Sequence, residues 1–482
     1  MSEIENFVGK RTAKQRVKHD AGNVSAKRSV GDVISLFVLC VLLAVTFYSF
    51  PLLHNFGIMS RGVQSQNLYA GLAMQHGLNP YNDFFATGGA LYYLIVQFGF
   101  AISGWVFWAI EVLALFASGW VIYKTALQFE IKQATSSVLA LMSVMMIAAG
   151  VHGGAQPILF ALPFTLWAQR FLYNHFKGKT RDEGFILYGL AAAISFTLAP
   201  ITAIFWLVGF VALLIFNIKE KRVGRLFYQF FASFLGLILV GYSVAYFALN
   251  QQTLYTSIEQ SFLLPFFHLT TAHILSNLMK IAIVVFFLGF WMKPLRGFRG
   301  KAEILPLTFQ IGRILTIVLL LFANHLEPQN LLILLPLSLL FILEHWKESE
   351  KWNWLWIVGS VILLIAYPAY EQIRYHNIFG QEETIAAQIQ SETSKSDQVL
   401  VIGGDKNINL LANRAASTDD VPSNFPVKFD ENFDMKVGQA KDKFMVIENG
   451  QKRDLALTTI LKEKYKTVKI DGISDFAVYE RK

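Results

Sequence analysis

The stretch RGVQSQNLYAGLAMQHGLNPYNDFFATGGALYY, residues 61–93, lies between two apolar runs and carries the most specific pattern in the chain. Its first part has apolar residues at helical spacing, namely Leu68, Tyr69, Leu72 and Ala73. This spacing predicts a short amphipathic helix, which can lie in a membrane interface.

The second part of this stretch predicts a helix end, a turn and an anchor. Gly77 is a helix stop signal, and the Asn-Pro-Tyr-Asn of residues 79–82 predicts a turn. Phe84 and Phe85 can then anchor the following segment at the bilayer surface. We therefore expect a structured loop that lies against the membrane.

The composition around this stretch is that of a membrane protein. Of 482 residues, 54% are hydrophobic and only 16% are charged, whereas an ordinary soluble domain has roughly 25% charged residues. This excludes a disordered chain and argues against a soluble multidomain enzyme, so we predict an α-helical polytopic membrane protein with one soluble appendage. The single cysteine, Cys40, allows no intrachain disulfide.

Twelve apolar runs come near the roughly 17–25 residues that a membrane helix needs. They cover approximately residues 33–53, 90–103, 105–123, 136–149, 157–173, 185–198, 201–216, 226–248, 274–291, 305–322, 331–344 and 354–370. A start inside the cell and an end outside require an odd number of spans, so we expect 11 or 13.

The distribution of basic residues predicts the orientation. Seven Lys or Arg residues lie in the first 28 positions, and further basic clusters lie in the loops at 177–181, 219–225, 293–301 and 347–351. The positive-inside bias places these segments in the cytoplasm. The net charge of +8 is thus a topology signal, and we predict no nucleic-acid partner.

Three regions follow from this topology. Residues 1–30 form a cytoplasmic basic tail, residues 31–371 a transmembrane domain with an outer-face loop at 54–89, and residues 372–482 an extracytoplasmic α/β domain. The expected location is a bacterial plasma membrane.

The hydrophilic C-terminal region has the pattern of a small α/β unit. Helical spacing covers 383–393 and 454–463, and short strand patterns cover 398–402, 444–448, 465–470 and 476–479. The segment 424–432 is expected to be a loop. Gly403-Gly404-Asp405 after the first strand is expected to be a strand-to-helix turn rather than a phosphate site.

The outer loop resembles the first outer loop of the C-type glycosyltransferase superfamily, especially bacterial members that use polyprenyl-phosphate sugars and are similar to protein mannosyltransferases. The matching pattern is helix, Gly, then Asn-Pro-Tyr-x-Asp-Phe-Phe and Gly-x-Leu-Tyr-Tyr. Three later segments agree in order, at 189–200, 325–336 and 399–417.

The resemblance implies a fold with about 11–13 transmembrane helices and a sugar transfer at the outer membrane face. The donor would be a polyprenyl-phosphate-linked sugar, and the acceptor an envelope glycan, lipid or protein, next to membrane lipids. No cofactor and no metal are expected. The chain departs from the family at Ser65 and Gln66, where the family has a catalytic acid, and at 87–90, where the family has Lys-Gly-Pro.

Such a transfer needs a base for the acceptor hydroxyl and positive charge for the leaving phosphate. Asp83 matches the motif carboxylate and is the first candidate for the base, although it could instead cap a helix. Glu259, in the outer loop 250–273, is the alternative base or a solvated residue. Glu111 lies within an apolar run, where an ionisable group is functional or makes a structural hydrogen bond.

Four residues are candidates for contact with the carrier or substrate: Arg61, His76, Tyr81 and His325. Arg61 can hold a phosphate with two parallel hydrogen bonds, or can contact lipid headgroups. His76 is a surface residue in the alternative interpretation, and His325 begins a late segment that resembles the family's pattern.

Two other functions stay open. The loss of the usual acid fits a non-catalytic relative that binds the carrier lipid or scaffolds a partner transferase. A transporter or flippase is less favoured, because the sequence has no paired broken halves.

Overall fold

A computed structural model describes residues 31–43, 60–151, 154–287, 304–324, 326–348, 354–418, 433, 435–450 and 455–482. The chain forms a helical domain followed by a small domain with one four-stranded sheet. The basic tail, the loop segment 424–432 and His325 lie outside the described residues.

The helical domain contains several helices, most of which coincide closely with the apolar runs. They are α1 (Gly31–Leu43), α2 (Gly62–Gln75), α3 (Ala90–Ile102), α4 (Gly104–Gln128), α5 (Gln133–Gly150), α6 (Pro157–Phe176), α7 (Phe185–Leu198), α8 (Ala203–Lys219), α9 (Val223–Asn250), α10 (Leu254–Ile258), α11 (Leu264–Phe267), α12 (Ile274–Phe287), α13 (Ile304–Leu321), α14 (Leu334–Glu348) and α15 (Trp354–Glu392).

Within the described part of the chain, six helices are long and apolar enough to cross a membrane, and three shorter apolar helices accompany them. The multi-pass membrane fold that the composition predicts is therefore confirmed. The number of 11 or 13 spans stays a prediction.

The outer loop differs from the expectation in one respect. Helix α2 ends as predicted, because Gly77 adopts a left-handed conformation (φ 82°) after the last turn. However, the apolar face of α2 is buried within the protein, and Phe84 and Phe85 are only 3% and 5% exposed. These aromatic residues pack in the protein core and do not anchor the loop in the bilayer, so that expectation was wrong.

Helix α15 continues without a break across the predicted boundary at residue 372. The expected end of the last span near residue 370 and the separate helix at 383–393 are therefore parts of one helix of 39 residues. The hydropathy falls near residue 371, but the backbone stays helical.

The small domain contains the expected strands and helices: β1 (Val399–Ile402), α16 (Asn407–Ala412), β2 (Phe444–Glu448), α17 (Leu455–Lys464), β3 (Tyr465–Val468) and β4 (Phe476–Arg481). The strand order is β1-β2-β4-β3, in which β1 and β2 are parallel and the other pairs are antiparallel.

Both faces of β1 and β2 are buried, which explains their continuous apolar sequences. One face packs against Ile385 and Ile389 of α15. The other face belongs to the large core that includes Leu68 and Tyr69 of α2. The Tyr69 hydroxyl also accepts a hydrogen bond of 3.0 Å from the Ala416 backbone N–H. The small domain is thus joined to the outer loop.

Helices α7 and α9 pack closely through two glycines. A Cβ atom at Gly189 would lie 1.8 Å from the Ser233 carbonyl oxygen, and one at Gly236 would lie 2.0 Å from the Ile186 carbonyl oxygen. Small residues let membrane helices approach at this separation. The same two helices form a wall of the apolar cavity described below.

Candidate functional site

A cavity of about 160 Å³ lies beside α2 and the segment that follows the outer turn. We call it the polar cavity, because its described lining includes the polar residues Gln66, Thr87, Gln156, Ser261, His268, Asn324, Glu327, Gln329 and Asn330. These residues come from five separate parts of the sequence.

A second cavity, of about 760 Å³, adjoins the first and is almost entirely apolar. We call it the apolar cavity. Its walls come mainly from α7, α8 and α9, with Phe196, Trp206 and Val244 among the lining residues. Pro200 and Ser261 line both cavities. The two cavities therefore share part of their walls, and polar side chains are more frequent in the first.

The two residues that replace the family's acid face in different directions. The Gln66 Nε2 atom donates to the Phe85 carbonyl at 2.8 Å, and Gln66 lines the polar cavity. The Ser65 hydroxyl is 3.4 Å from Asp405 Oδ1 and accepts from the Lys406 backbone N–H. Of these two residues, only Gln66 lines the polar cavity.

Asp83 closes the outer turn. Its Oδ2 atom accepts a hydrogen bond of 2.7 Å from the Asn79 backbone N–H, and the Asp83 N–H donates to the Asn79 carbonyl. Glu259 is half-buried at the start of a π-helical turn, Glu259–Leu263. Neither carboxylate is among the described residues that line the polar or the apolar cavity. Their role as bases stays a prediction.

Arg61 is held by the small domain. Its guanidinium nitrogen lies 2.6 Å from Asp405 Oδ2, and the group stacks on the Tyr375 ring at 3.7 Å. The Gly62 backbone N–H donates to the other Asp405 oxygen at 2.6 Å. The Gly403-Gly404-Asp405 turn follows β1 as expected, and its carboxylate binds the outer loop.

The remaining carrier-contact candidates are placed as follows. The His76 ring nitrogen Nδ1 lies 3.0 Å from the Leu72 carbonyl, at the end of α2. Tyr81 is buried with a positive φ of 70°, and its hydroxyl donates to the Gly88 carbonyl at 2.8 Å. Their contact with a carrier stays a prediction, as does that of His325.

Glu111 makes a structural hydrogen bond. Its Oε1 atom accepts from the Ala155 backbone N–H, and the Ala155 carbonyl accepts from Asn67 Nδ2 at 2.7 Å. This arrangement joins α4, the segment before α6 and α2. It also positions the neighbouring Gln156, which lines the polar cavity.

The sequence interpretation missed Gln156 and Glu327 as cavity residues. Both immediately precede a proline that opens a helix, Pro157 and Pro328. That position was visible in the sequence, but its exposure to a cavity depends on tertiary packing. Among the described residues, no three His, Cys, Asp or Glu side chains are grouped to hold a metal ion.

Glu382 lies on α15, where this helix packs against Asn407 of α16, and it is fully buried. Burial raises the pKa of its carboxyl to about 8, the nearby Asp405 carboxylate adds to the increase, and a hydrogen bond from Asn407 partly opposes it. The Asn407 Nδ2 atom donates to Glu382 Oε2 at 2.8 Å.

This shift predicts a pH-dependent stability. The ordinary pKa is 4.5, so between pH 4.5 and 8 the folded protein keeps a proton that the unfolded chain releases, and stability falls as the pH rises. From pH 6 to 7 we expect a loss of about 1.4 kcal/mol through this group. In the Glu382→Gln variant, the free energy of unfolding should not show this loss between pH 6 and 7. Unfolding of the full chain in detergent at both pH values measures it. Equal slopes in both proteins would contradict the assignment.

The comparisons with known proteins agree with this architecture. The family described as putative competence-induced protein Ccs4, N-terminal domain, matches residues 22–353, and its C-terminal domain matches residues 380–482. No curated protein sequence matches the chain.

Two solved structures of ArnT from Cupriavidus metallidurans are similar in fold. The structure bound to undecaprenyl phosphate has 10% sequence identity and a TM-score of 0.57, and covers 94% of this chain and 97% of its own. The apo structure has 9% identity and a TM-score of 0.58, with 94% and 98% coverage. The predicted architecture, a polytopic helical domain followed by a small α/β domain, is therefore a fold that this chain shares with these two structures.

Proposed function

We propose that this chain, which belongs to the Ccs4 family of putative competence-induced proteins, is a membrane glycosyltransferase. It would bind a polyprenyl-phosphate-linked sugar and move the sugar to an envelope glycan, lipid or protein at the outer face of a bacterial plasma membrane.

The adjoining cavities are the observation that carries this proposal. The apolar cavity suits a polyprenyl chain, because burial of each methylene group contributes about 0.8 kcal/mol. The polar cavity beside it offers hydroxyl and amide groups of the kind that bind a sugar. A solved structure of the same fold is described as bound to undecaprenyl phosphate, which supports this choice of ligand.

The described contacts also support the proposed orientation. Arg225 pairs with Asp182 at 2.8 Å, which brings together the two basic loops at 177–181 and 219–225. Lys347 pairs with Glu130, next to the Phe129 ring that Lys177 approaches. These basic loops gather on one side, as the positive-inside bias requires of a cytoplasmic surface.

A second candidate function is carrier binding without transfer. The observation that favours it is the amide of Gln66 at the cavity, where the resembling enzymes have an acid, together with the position of Asp83 and Glu259 outside the described lining. Purified protein given undecaprenyl-phosphate hexoses and an envelope extract distinguishes the two candidates. Transfer supports the enzyme, whereas carrier binding without transfer supports the second candidate.

A bulky residue in the apolar cavity should prevent carrier binding. Ala245 of α9 lines this cavity, so Ala245→Trp should weaken binding of labelled undecaprenyl phosphate to protein in nanodiscs by about tenfold or more, which corresponds to about 1.4 kcal/mol. Leu235→Trp is the matched control, because Leu235 is on the same helix but 50% exposed. Equal binding by both variants would argue against the apolar cavity as the carrier site.

A further inference from the structure

The charged groups of the polar cavity are few. Among the described residues of its lining, Glu327 is the only carboxylate, and His268 is the only side chain that can become a cation. Transfer from a phosphate carrier needs a proton acceptor near the sugar. The chemistry of this cavity therefore depends on Glu327 more than on any other described lining residue.

Glu327 is held in a defined position. Its backbone is extended (φ −93°, ψ 148°) before the 3₁₀ helix Pro328–Ile333, and its carbonyl accepts from the Asn330 N–H at 3.0 Å. The Gln329 Nε2 atom donates to Glu327 Oε2 at 2.9 Å. Lys280 Nζ donates to the preceding carbonyl, that of Leu326, at 2.7 Å. A carboxylate fixed in this way loses little freedom when it binds a substrate.

Gln156 supplies an independent sign of a ligand. Its side chain is 2% exposed and lines the polar cavity, yet its Oε1 atom has no hydrogen-bond donor among the described residues. Buried polar atoms in folded proteins are nearly always paired. A hydroxyl group of a bound sugar would supply the missing donor.

We propose that Glu327 is the general base of the transfer and that Gln156 binds a hydroxyl group of the sugar in the polar cavity. This inference rests on the proposed function. The acceptor oxygen forms a bond to the anomeric carbon, and the bond between that carbon and the phosphate oxygen breaks. The leaving polyprenyl phosphate takes the electron pair, while the acceptor proton passes to the Glu327 carboxylate and then to water.

Asp83 is less suited to this step in the described geometry. Its carboxylate accepts from the Asn79 backbone N–H, and it is absent from the described lining of the cavity. The Glu327 carboxylate accepts a hydrogen bond from the Gln329 side chain, and Glu327 itself lines the cavity. The base has therefore moved from the first outer loop to the loop between α13 and α14.

The test uses the purified full-length protein in nanodiscs with undecaprenyl-phosphate glucose, galactose and mannose, each with an envelope extract. The release of undecaprenyl phosphate is measured for the wild type, for Glu327→Gln and for a control, Glu183→Gln, which changes an exposed glutamate outside both cavities. We expect Glu327→Gln to lower kcat by about hundredfold or more, as loss of a general base does. Its binding of undecaprenyl phosphate should stay within threefold of the wild type.

The pH profile separates a base from a structural residue. The acidic limb of the wild-type kcat profile should disappear in Glu327→Gln, and a merely structural role would leave its shape unchanged. Gln156→Ala should raise the KM for the donor without changing binding of undecaprenyl phosphate, which lacks the sugar.

Each failure has its own meaning. Unchanged transfer by Glu327→Gln would overturn the inference and leave the proposed function intact. A wild type that binds undecaprenyl phosphate but releases none from any donor would overturn transfer and the role of Glu327 together. A wild type that does not bind undecaprenyl phosphate would overturn the proposed function itself.

Discussion

Gly236→Ala is expected to lower the free energy of unfolding by about 3 kcal/mol. The added Cβ atom would lie 2.0 Å from the Ile186 carbonyl oxygen and 2.8 Å from the Leu190 backbone nitrogen. Both contacts are with backbone, so no side-chain rotation relieves them, and helices α7 and α9 must separate. Because these helices also form a wall of the apolar cavity, carrier binding should fall as well.

The thermal unfolding midpoint and the monodisperse fraction in detergent measure this effect. Gly224→Ala is the matched control, since Gly224 lies on the same helix with no atom within 4 Å of an added Cβ. Alanine favours a helix by up to about 1 kcal/mol over glycine, so the control should be neutral or slightly more stable. Similar behaviour of the two variants would show that the helices do not approach as closely as described.

The second large effect is expected for Asp405→Ala. This change removes the partner of Arg61 and the acceptor for the Gly62 N–H, at a side chain only 10% exposed. Removal of one partner of a buried pair costs several kcal/mol, and the partial exposure of Arg61 reduces this to about 2–3 kcal/mol. The small domain should then bind the outer loop less tightly.

A double-mutant cycle with Arg61→Ala and Asp405→Ala isolates the pair, with the unfolding free energy of the full chain as the measured quantity. The Lys347–Glu130 pair is the control, because Glu130 is 82% exposed and exposed pairs contribute about 0–1 kcal/mol. A coupling energy no larger than that of the control would mean that Arg61 and Asp405 act independently.

Local patterns were sufficient to predict most elements. Strand β2 was predicted at the residues where it is found, because a short apolar run bounded by polar residues has few alternatives. The end of α2 at Gly77 was equally local. The buried position of Phe84 and Phe85 was not predictable in this way, because aromatic residues suit a lipid interface and a protein core equally well.

The site was harder to predict because its parts are distant in sequence. Gln66, Gln156, His268 and Glu327 meet at one cavity only after the helices pack. The contact of Arg61 with Asp405 joins residues from opposite ends of the chain. The family resemblance indicated the outer loop, but the departures at Ser65 and Gln66 gave no indication of where a replacement carboxylate would lie.

The continuous helix α15 makes the position of the small domain sensitive to the length of this connection rather than to its composition. An α-helix advances about 1.5 Å and turns about 100° per residue, so its 39 residues form a rod of roughly 58 Å. One inserted residue near the middle would rotate the whole small domain by more than a quarter of a circle and carry Asp405 away from Arg61. Substitutions on the exposed side of this helix leave that angle unchanged. The number of residues in the helix, by contrast, sets the rotation between the two domains.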